Sequence, residues 1–302
     1  VPRPSTARWG TPALFVASGL TQYAGAAIAV GLFARLPAES VAWLRLVAAS
    51  VVLLVWRRPW RAGRDGAAGM ASWGRRGLLL VAAFGTTLAL MNVSFYLAIA
   101  HLPLGTAVAI EFLGPVTVAA LTGGPRERWG IALAAPGVVL LAGVTLEVGG
   151  PDARAGLVAI AAAAVCWAGY IVLGRKVASA GDGISRLAVG MTAGSLVLAP
   201  VLAPRSGAVL DSWSLVGMVV AVGVLSSVVP YAIEQVVLRS VTPATFAVLV
   251  AMLPATAAVV GAVALAQWPR PVELVGLVLV SGAIVLASRR PAATEADADP
   301  GA

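Results

Sequence analysis

The sequence predicts an all-α membrane protein: ten transmembrane helices in two five-helix inverted repeats, with both termini in the cytoplasm. Three observations carry this reading: the balance of apolar to charged residues, a succession of ten apolar runs, and an uneven split of Arg and Lys between alternate turns. The 302 residues are 60% apolar and 11% charged, with a mean hydropathy of +0.93. A soluble domain is roughly half apolar and a quarter charged. Lipid is therefore the expected solvent, and the natural unit is a spanning helix of about 20 residues.

The runs are 12–33, 38–56, 77–100, 104–122, 129–146, 155–174, 184–203, 214–237, 243–266 and 271–288. Short Gly/Pro/Arg turns join them, and the absence of period-two alternation excludes a barrel of strands. With the N-terminus inside, sixteen Arg and Lys residues fall in cytoplasmic segments and four (Arg35, Arg154, Arg205 and Arg270) in outer ones, with Arg45 inside a run. This is the positive-inside pattern. Trp9, Trp56, Trp60, Trp73, Trp129, Trp213 and Trp268 sit near run ends, where indole favours the headgroup level, whereas Trp167 lies well inside the sixth run. The first run is long and has no separate small-residue cleavage site, so no cleaved leader is expected.

The halves carry matching segments. Gly105-Thr106 through Pro115 aligns with Ala244-Thr245 through Pro254 at an offset of 139. Gly130 to Leu133 opens the fifth run as Gly276 to Leu279 opens the tenth, and Cys166 to Tyr170 takes the place of Leu20 to Tyr23. An odd number of helices per half inserts the second copy upside down, an arrangement common among secondary transporters. The expected division is 1–150 for the first repeat, 151–290 for the second, and a disordered cytoplasmic tail over 291–302, where Ala, Pro and acidic residues lack apolar periodicity.

The formal charge of +8 does not point to nucleic acid, because the basic residues occupy turns beside apolar runs and accompany no nucleic-acid-binding motif. The single cysteine, Cys166, allows no internal disulfide, and the single histidine, His101, allows no multi-His site, so no metal or other cofactor is expected. P-loop, zinc-protease, nucleophile-elbow and dinucleotide patterns are missing. The chain does not read as an enzyme, and any transport would draw on a gradient.

Polar groups within apolar runs are costly and so become the candidates for function. Glu111 lies about two turns into the fourth run, with Ala107, Val108, Gly114 and Pro115 on its own face. Burial would favour the protonated acid and a nearby cation the carboxylate; either state suits proton coupling or amine binding, and a structural pair with Arg45 of the second run is the alternative. The eighth run shows Ser227, Tyr231, Glu234 and Gln235 on one face, beside Pro230, which leaves the Ser226 carbonyl without its usual donor. Glu234 and Gln235 could equally reach the cytoplasmic headgroups. Asn92 and Tyr96 share a face of the third run, Ser18, Thr21, Gln22 and Gly25 one of the first, and Trp167 and Tyr170 mark the sixth. Singly, such residues join helices; together they predict a shared central cavity. Pro115, Pro230 and Pro254 are the expected bends. His101 is expected exposed in a turn, and Cys166 packed as a small apolar residue.

Taken in order, several segments resemble the EamA branch of the drug/metabolite transporter superfamily, within it the threonine/homoserine exporter type. They are Leu44-Arg45-Leu46, Pro59-Trp60-Arg61, Met91-Asn92 with Phe95-Tyr96-Leu97, and Pro103-Leu104-Gly105. Ala107 to Phe112 with Gly114-Pro115 follows, then Cys166-Trp167-Ala168 with Tyr170-Ile171, Pro230-Tyr231 with Glu234, and Thr245-Phe246 with Met252 and Pro254. The resemblance implies a ten-helix inverted-repeat exporter of amino acids or related small metabolites working against proton entry, with Glu111 and Glu234 on motif positions. Two departures stand out: Met252-Leu253-Pro254 replaces a Met-Glu-Pro pattern, and Val30 stands where the pattern has a lysine.

A permease for drugs, quaternary ammonium compounds or other hydrophobic cations is the second reading, with Trp167, Tyr170, Tyr96 and Tyr231 stacking on the solute. A non-transport membrane enzyme or scaffold is the third, weakened because Glu111 and Glu234 fall toward opposite membrane faces. Expected partners are the lipid bilayer, a small-molecule substrate and protons, with no nucleic acid, in a monomer or homodimer of the cell's inner (plasma) membrane.

Overall fold

A computed structural model describes residues 10–61, 70–123, 125–178, 183–230, 233 and 251–288. Every regular element among them is helical: α1 (Gly10–Leu32), α2 (Ala38–Arg57), α3 (Gly74–Ile99), α4 (Leu104–Glu111), α5 (Leu113–Thr122), α6 (Pro125–Ala178), α7 (Gly183–Leu202), α8 (Trp213–Gly223), α9 (Leu253–Leu265) and α10 (Pro271–Ser288). Seven helical segments among the described residues are long and apolar enough to span a membrane, 13–32, 38–57, 70–99, 104–122, 128–147, 152–177 and 183–202. Three shorter apolar ones follow at 213–228, 253–265 and 271–286. Leu79, Val139, Val158, Leu196, Val263 and Val278 point outward and are exposed, which is stable where acyl chains are the solvent and leucine gains nothing by avoiding them.

Helix starts follow proline chemistry. Pro37 and Pro103 hold extended backbone (ψ 142 and 141) immediately before α2 and α4. α2 stops at Arg58, which adopts a left-handed conformation (φ 46) and returns its N–H to the Leu54 carbonyl.

Four features differ from the reading of the sequence. The fourth run, expected as one helix, is broken into α4 and α5 at Phe112. Pro115 cannot donate to the carbonyl four residues earlier, which belongs to Glu111, and its ring crowds that carbonyl. In the same way the helix after α8 widens into a π turn over Val224–Val228, where the Val229 N–H reaches Val224. There Pro230 withholds a donor from Ser226. Residues 147–154, expected as a turn between the fifth and sixth runs, carry helical backbone within α6. Pro254, expected as a bend, stands in the first turn of α9, where proline is tolerated. Residues 243–250 of that run, and the tail 291–302, lie outside the described residues.

Close helix contacts rest on small residues. A Cβ on Gly85 of α3 would collide with the Gly190 carbonyl of α7, and one on Gly194 with the Gly85 carbonyl. Gly114 of α5 meets the Ala164 carbonyl of α6 in the same manner, and Gly25 of α1 meets the Ser226 side chain. The Trp43 indole also donates to the Ser195 carbonyl at 2.8 Å, tying α2 to α7. At the end of the bundle carrying the 100–103 turn, the start of α4 is capped from far along the chain. The Leu104 N–H donates to Gln267 Oε1 at 2.9 Å, and the Thr106 hydroxyl donates to Glu273 Oε1 at 3.3 Å. Leu36, Val41, Tyr96, Leu102, Leu104 and Phe112 belong to the larger buried cluster.

Gly85→Ala should lower the thermal unfolding midpoint in detergent, since overpacking a closed contact costs about 1–3 kcal/mol. Gly217→Ala is the control: no atom lies within 4 Å of its added Cβ, and alanine favours the helix by roughly 0.5–1 kcal/mol. Equal midpoints for the two variants would remove the α3–α7 contact from the account.

Candidate functional site

Glu111 sits at the last residue of α4, about 10 Å along the helix from Leu104 at 1.5 Å per residue, and therefore far from either end of the 104–122 span. It is 9% exposed, and what it faces is a cavity of about 160 Å³. The wall is completed by Gln22, Tyr23 and Ala26 of α1, Arg45 of α2, Met91, Asn92 and Phe95 of α3, Trp167 and Tyr170 of α6, Ser226 and Pro230 after α8, and Leu253 of α9. Seven elements contribute, so the cavity exists only in the folded bundle.

Arg45 supplies the opposite charge. Its side chain is 7% exposed, its Nη1 donates to the Tyr96 hydroxyl at 3.1 Å, and its guanidinium carbon lies 4.7 Å from the centre of the Tyr96 ring. A cation over an aromatic face is attracted by the ring quadrupole, so Tyr96 holds Arg45 from two directions. The Arg45 Nε is sealed with no hydrogen-bond partner. No ion pair within 4.0 Å joins Arg45 to Glu111 among the described residues, so the guanidinium and the carboxyl group share the cavity without closing on each other.

The remaining wall is polar at isolated points and aromatic between them. Asn92 donates its amide to the Leu88 carbonyl at 2.8 Å, one turn back in α3, which fixes the rotamer and leaves the side-chain oxygen as an acceptor. Trp167 packs edge-on against Phe112 at 4.6 Å, and Tyr170 stacks on Phe84 at 4.9 Å. Both rings are thus braced from behind. The carbonyls released by Pro115 and Pro230 belong to Glu111 and Ser226, two residues of the wall. Non-helical backbone at membrane depth is tolerated where it lines such a space.

Comparison with known proteins fits this arrangement. The threonine/homoserine exporter RhtA of Escherichia coli (strain K12) is 34% identical over 265 residues, which covers 87% of this chain and 85% of that protein. The chain belongs to the EamA-like transporter family. The family's own pattern matches residues 154–289. The RhtA exporter of Salmonella typhimurium (strain LT2) is 32% identical over 260 residues, covering 86% of this chain and 84% of that one. A crystal structure of a protein 20% identical aligns with a TM-score of 0.58 over 94% of this chain and 100% of its own, a likeness of fold. This EamA-like chain is accordingly a multi-pass protein of the cell's inner membrane.

Of the residues singled out in the sequence, the structure gathers Gln22, Arg45, Asn92, Glu111, Trp167, Tyr170 and Pro230 around the cavity. Tyr96 does not line it: its exposure is 0%, with Arg45, Phe33 and Phe95 packed around it. Pro115 acts one turn away through the Glu111 carbonyl, and Pro254 lies next to the wall residue Leu253. Glu234, Tyr231 and Gln235 lie outside the described residues. His101 is exposed in its turn and Cys166 is half-buried. Sequence reasoning missed Tyr23, Ala26 and Met91; an apolar or amphipathic side chain in an apolar run gives no sign of facing a cavity.

Leu253 occupies the departure from the family's Met-Glu-Pro pattern and forms part of the wall. Val30, the other departure, packs against the main buried cluster instead.

Tyr96→Phe should destabilise the protein by roughly 1–3 kcal/mol, the usual effect of leaving a buried donor without its acceptor, while keeping the ring under Arg45. Denaturation monitored by tryptophan fluorescence reads this; an unchanged midpoint would mean that the hydroxyl does not hold the guanidinium.

Proposed function

We propose that this protein is a secondary transporter exporting amino acids of the threonine/homoserine kind, or related small metabolites, by proton antiport. The carrying observation is Glu111, an acid deep in a spanning segment that faces a cavity and has no ion-pair partner among the described residues. A carboxylate able to hold either a proton or the amine of a solute links two opposed fluxes through one site. The relatives named as exporters of threonine and homoserine support the substrate class. Gln22, Asn92, Trp167, Tyr170, Tyr231 and Gln235 are proposed to contact the solute, with Tyr96 acting through Arg45 and with Glu234 as a second acid on the path.

The proposed frame is ten helices in two inverted repeats, 1–150 and 151–290, with both termini cytoplasmic. Helix pairing supports it, because several of the contacts come in equivalent sets. α2 packs on α8 as α7 packs on α3; α1 packs on α9 as α6 packs on α4 and, through Ala164 of its second span, on α5. Gly25 of α1 meets Ser226 as Gly169 of α6 meets Thr87. Three further pairs, α2 with α7, α4 with α9, and Gly137 of α6 with Gly276 of α10, would each cross the two-fold axis. The family match over 154–289 corresponds to the proposed second repeat.

A permease for hydrophobic cations draws support from Leu253 and the aromatic wall, but a buried guanidinium on the same wall opposes a lone cation. Amino-acid export is the better reading.

Proteoliposomes loaded with labelled L-threonine should release it several-fold faster when the external medium is acidified, and a protonophore should abolish the acceleration. Glu111→Gln should reduce the gradient-driven rate by about tenfold or more, the loss expected when one charged hydrogen bond is removed. If no member of a broad amino-acid panel moves and Glu111→Gln changes nothing, the export and coupling reading fails.

A further inference from the structure

Resting on the export reading, the geometry points to a two-charge clamp: we infer that the cavity selects small solutes carrying an amine and a carboxylate on one molecule, with Arg45 anchoring the carboxylate and Glu111 the amine. Both charges line a single space of about 160 Å³, room for about five waters at roughly 30 Å³ each. A guanidinium and an ionised carboxylate lining one small space attract each other and ordinarily close into a pair. Here no such pair is closed among the described residues, and Tyr96 holds the guanidinium. With Nη1 bonded to the Tyr96 hydroxyl and the guanidinium laid over the ring, Arg45 is tethered away from Glu111. The α2 backbone is pinned as well, since a Cβ on Gly223 of α8 would come within 2.9 Å of the Arg45 carbonyl oxygen.

The consequence is a pair of charges kept apart, each with unused hydrogen-bonding capacity. The Arg45 Nη2 donates to no described residue, and Glu111 accepts from none. A solute with one charge leaves the opposite protein charge uncompensated and brings its own charge near a like one. A neutral solute leaves both protein charges unanswered. A zwitterion answers both and leaves the net charge of the cavity unchanged, which makes it the solute whose entry costs least in a medium that solvates ions poorly. The cavity volume sets the second limit, admitting short side chains.

Competition against counterflow of labelled L-threonine in proteoliposomes of the full chain tests this. Unlabelled L-threonine is the reference, L-threoninol lacks the carboxylate, and N-acetyl-L-threonine lacks the charged amine. In the wild type each analogue should compete about tenfold or more weakly than threonine. Arg45→Gln should bring threonine and threoninol together while N-acetyl-threonine stays weak, and Glu111→Gln should bring threonine and N-acetyl-threonine together while threoninol stays weak. Either analogue competing as well as threonine in the wild type overturns the clamp and leaves amino-acid export standing. Should the variants not fold, the wild-type panel decides alone. If no amino acid is carried and a simple amine is, both readings fall.

Discussion

In a hydrocarbon medium every peptide N–H and C=O must find its partner within the protein, and the architecture follows from where that requirement is relaxed. Two prolines relax it. Pro115 and Pro230 each withdraw one donor from a helical ladder, and the carbonyls they release belong to Glu111 and Ser226, both on the cavity wall. Elsewhere the released groups would face lipid or dry packing. The break between α4 and α5 and the π turn after α8 both lie beside the cavity, which Glu111 and Ser226 line. The two helix breaks and the acid therefore share one location.

The buried cation obeys the same economy of partners. Arginine is always charged in proteins, so a position inside a span must offer hydrogen bonds, a polarisable surface or an accessible wet edge. Arg45 has Tyr96 for the first two and the cavity for the third. Tyr96 in turn is held between Phe33 and Phe95, with ring centres 6.1 and 6.2 Å away. A position that looks like a hydrophobic interior thus serves as the mount for a charge.

The sequence made the spans legible because an apolar run of membrane length has few other uses, and α1, α2, α3, α7 and α10 begin and end within a few residues of the runs. It also made Gln22, Asn92 and Glu111 conspicuous, since a polar side chain in such a run must avoid lipid. What it could not convey was azimuth and depth. Asn92 and Tyr96 share a helical face, yet one borders the cavity and the other is walled off by Arg45, a residue 51 positions away in the chain. The break at Phe112 was legible only in retrospect: proline inside an apolar run signals a lost donor, but not whether the helix bends, widens or divides. Tyr23 and Met91 gave no signal, because the property that puts them on the wall belongs to their neighbours.

The cap on α4 has a consequence for biogenesis. The Leu104 amide is satisfied by Gln267, 163 residues later, and Thr106 by Glu273, 167 residues later. A ribosome delivering this chain into the bilayer exposes α4 long before its cap is synthesised. These two bonds to the helix that carries Glu111 can form only once residues 267–273 have been made. Removing α9, α10 and the segment between them would leave the start of α4 without both of these partners.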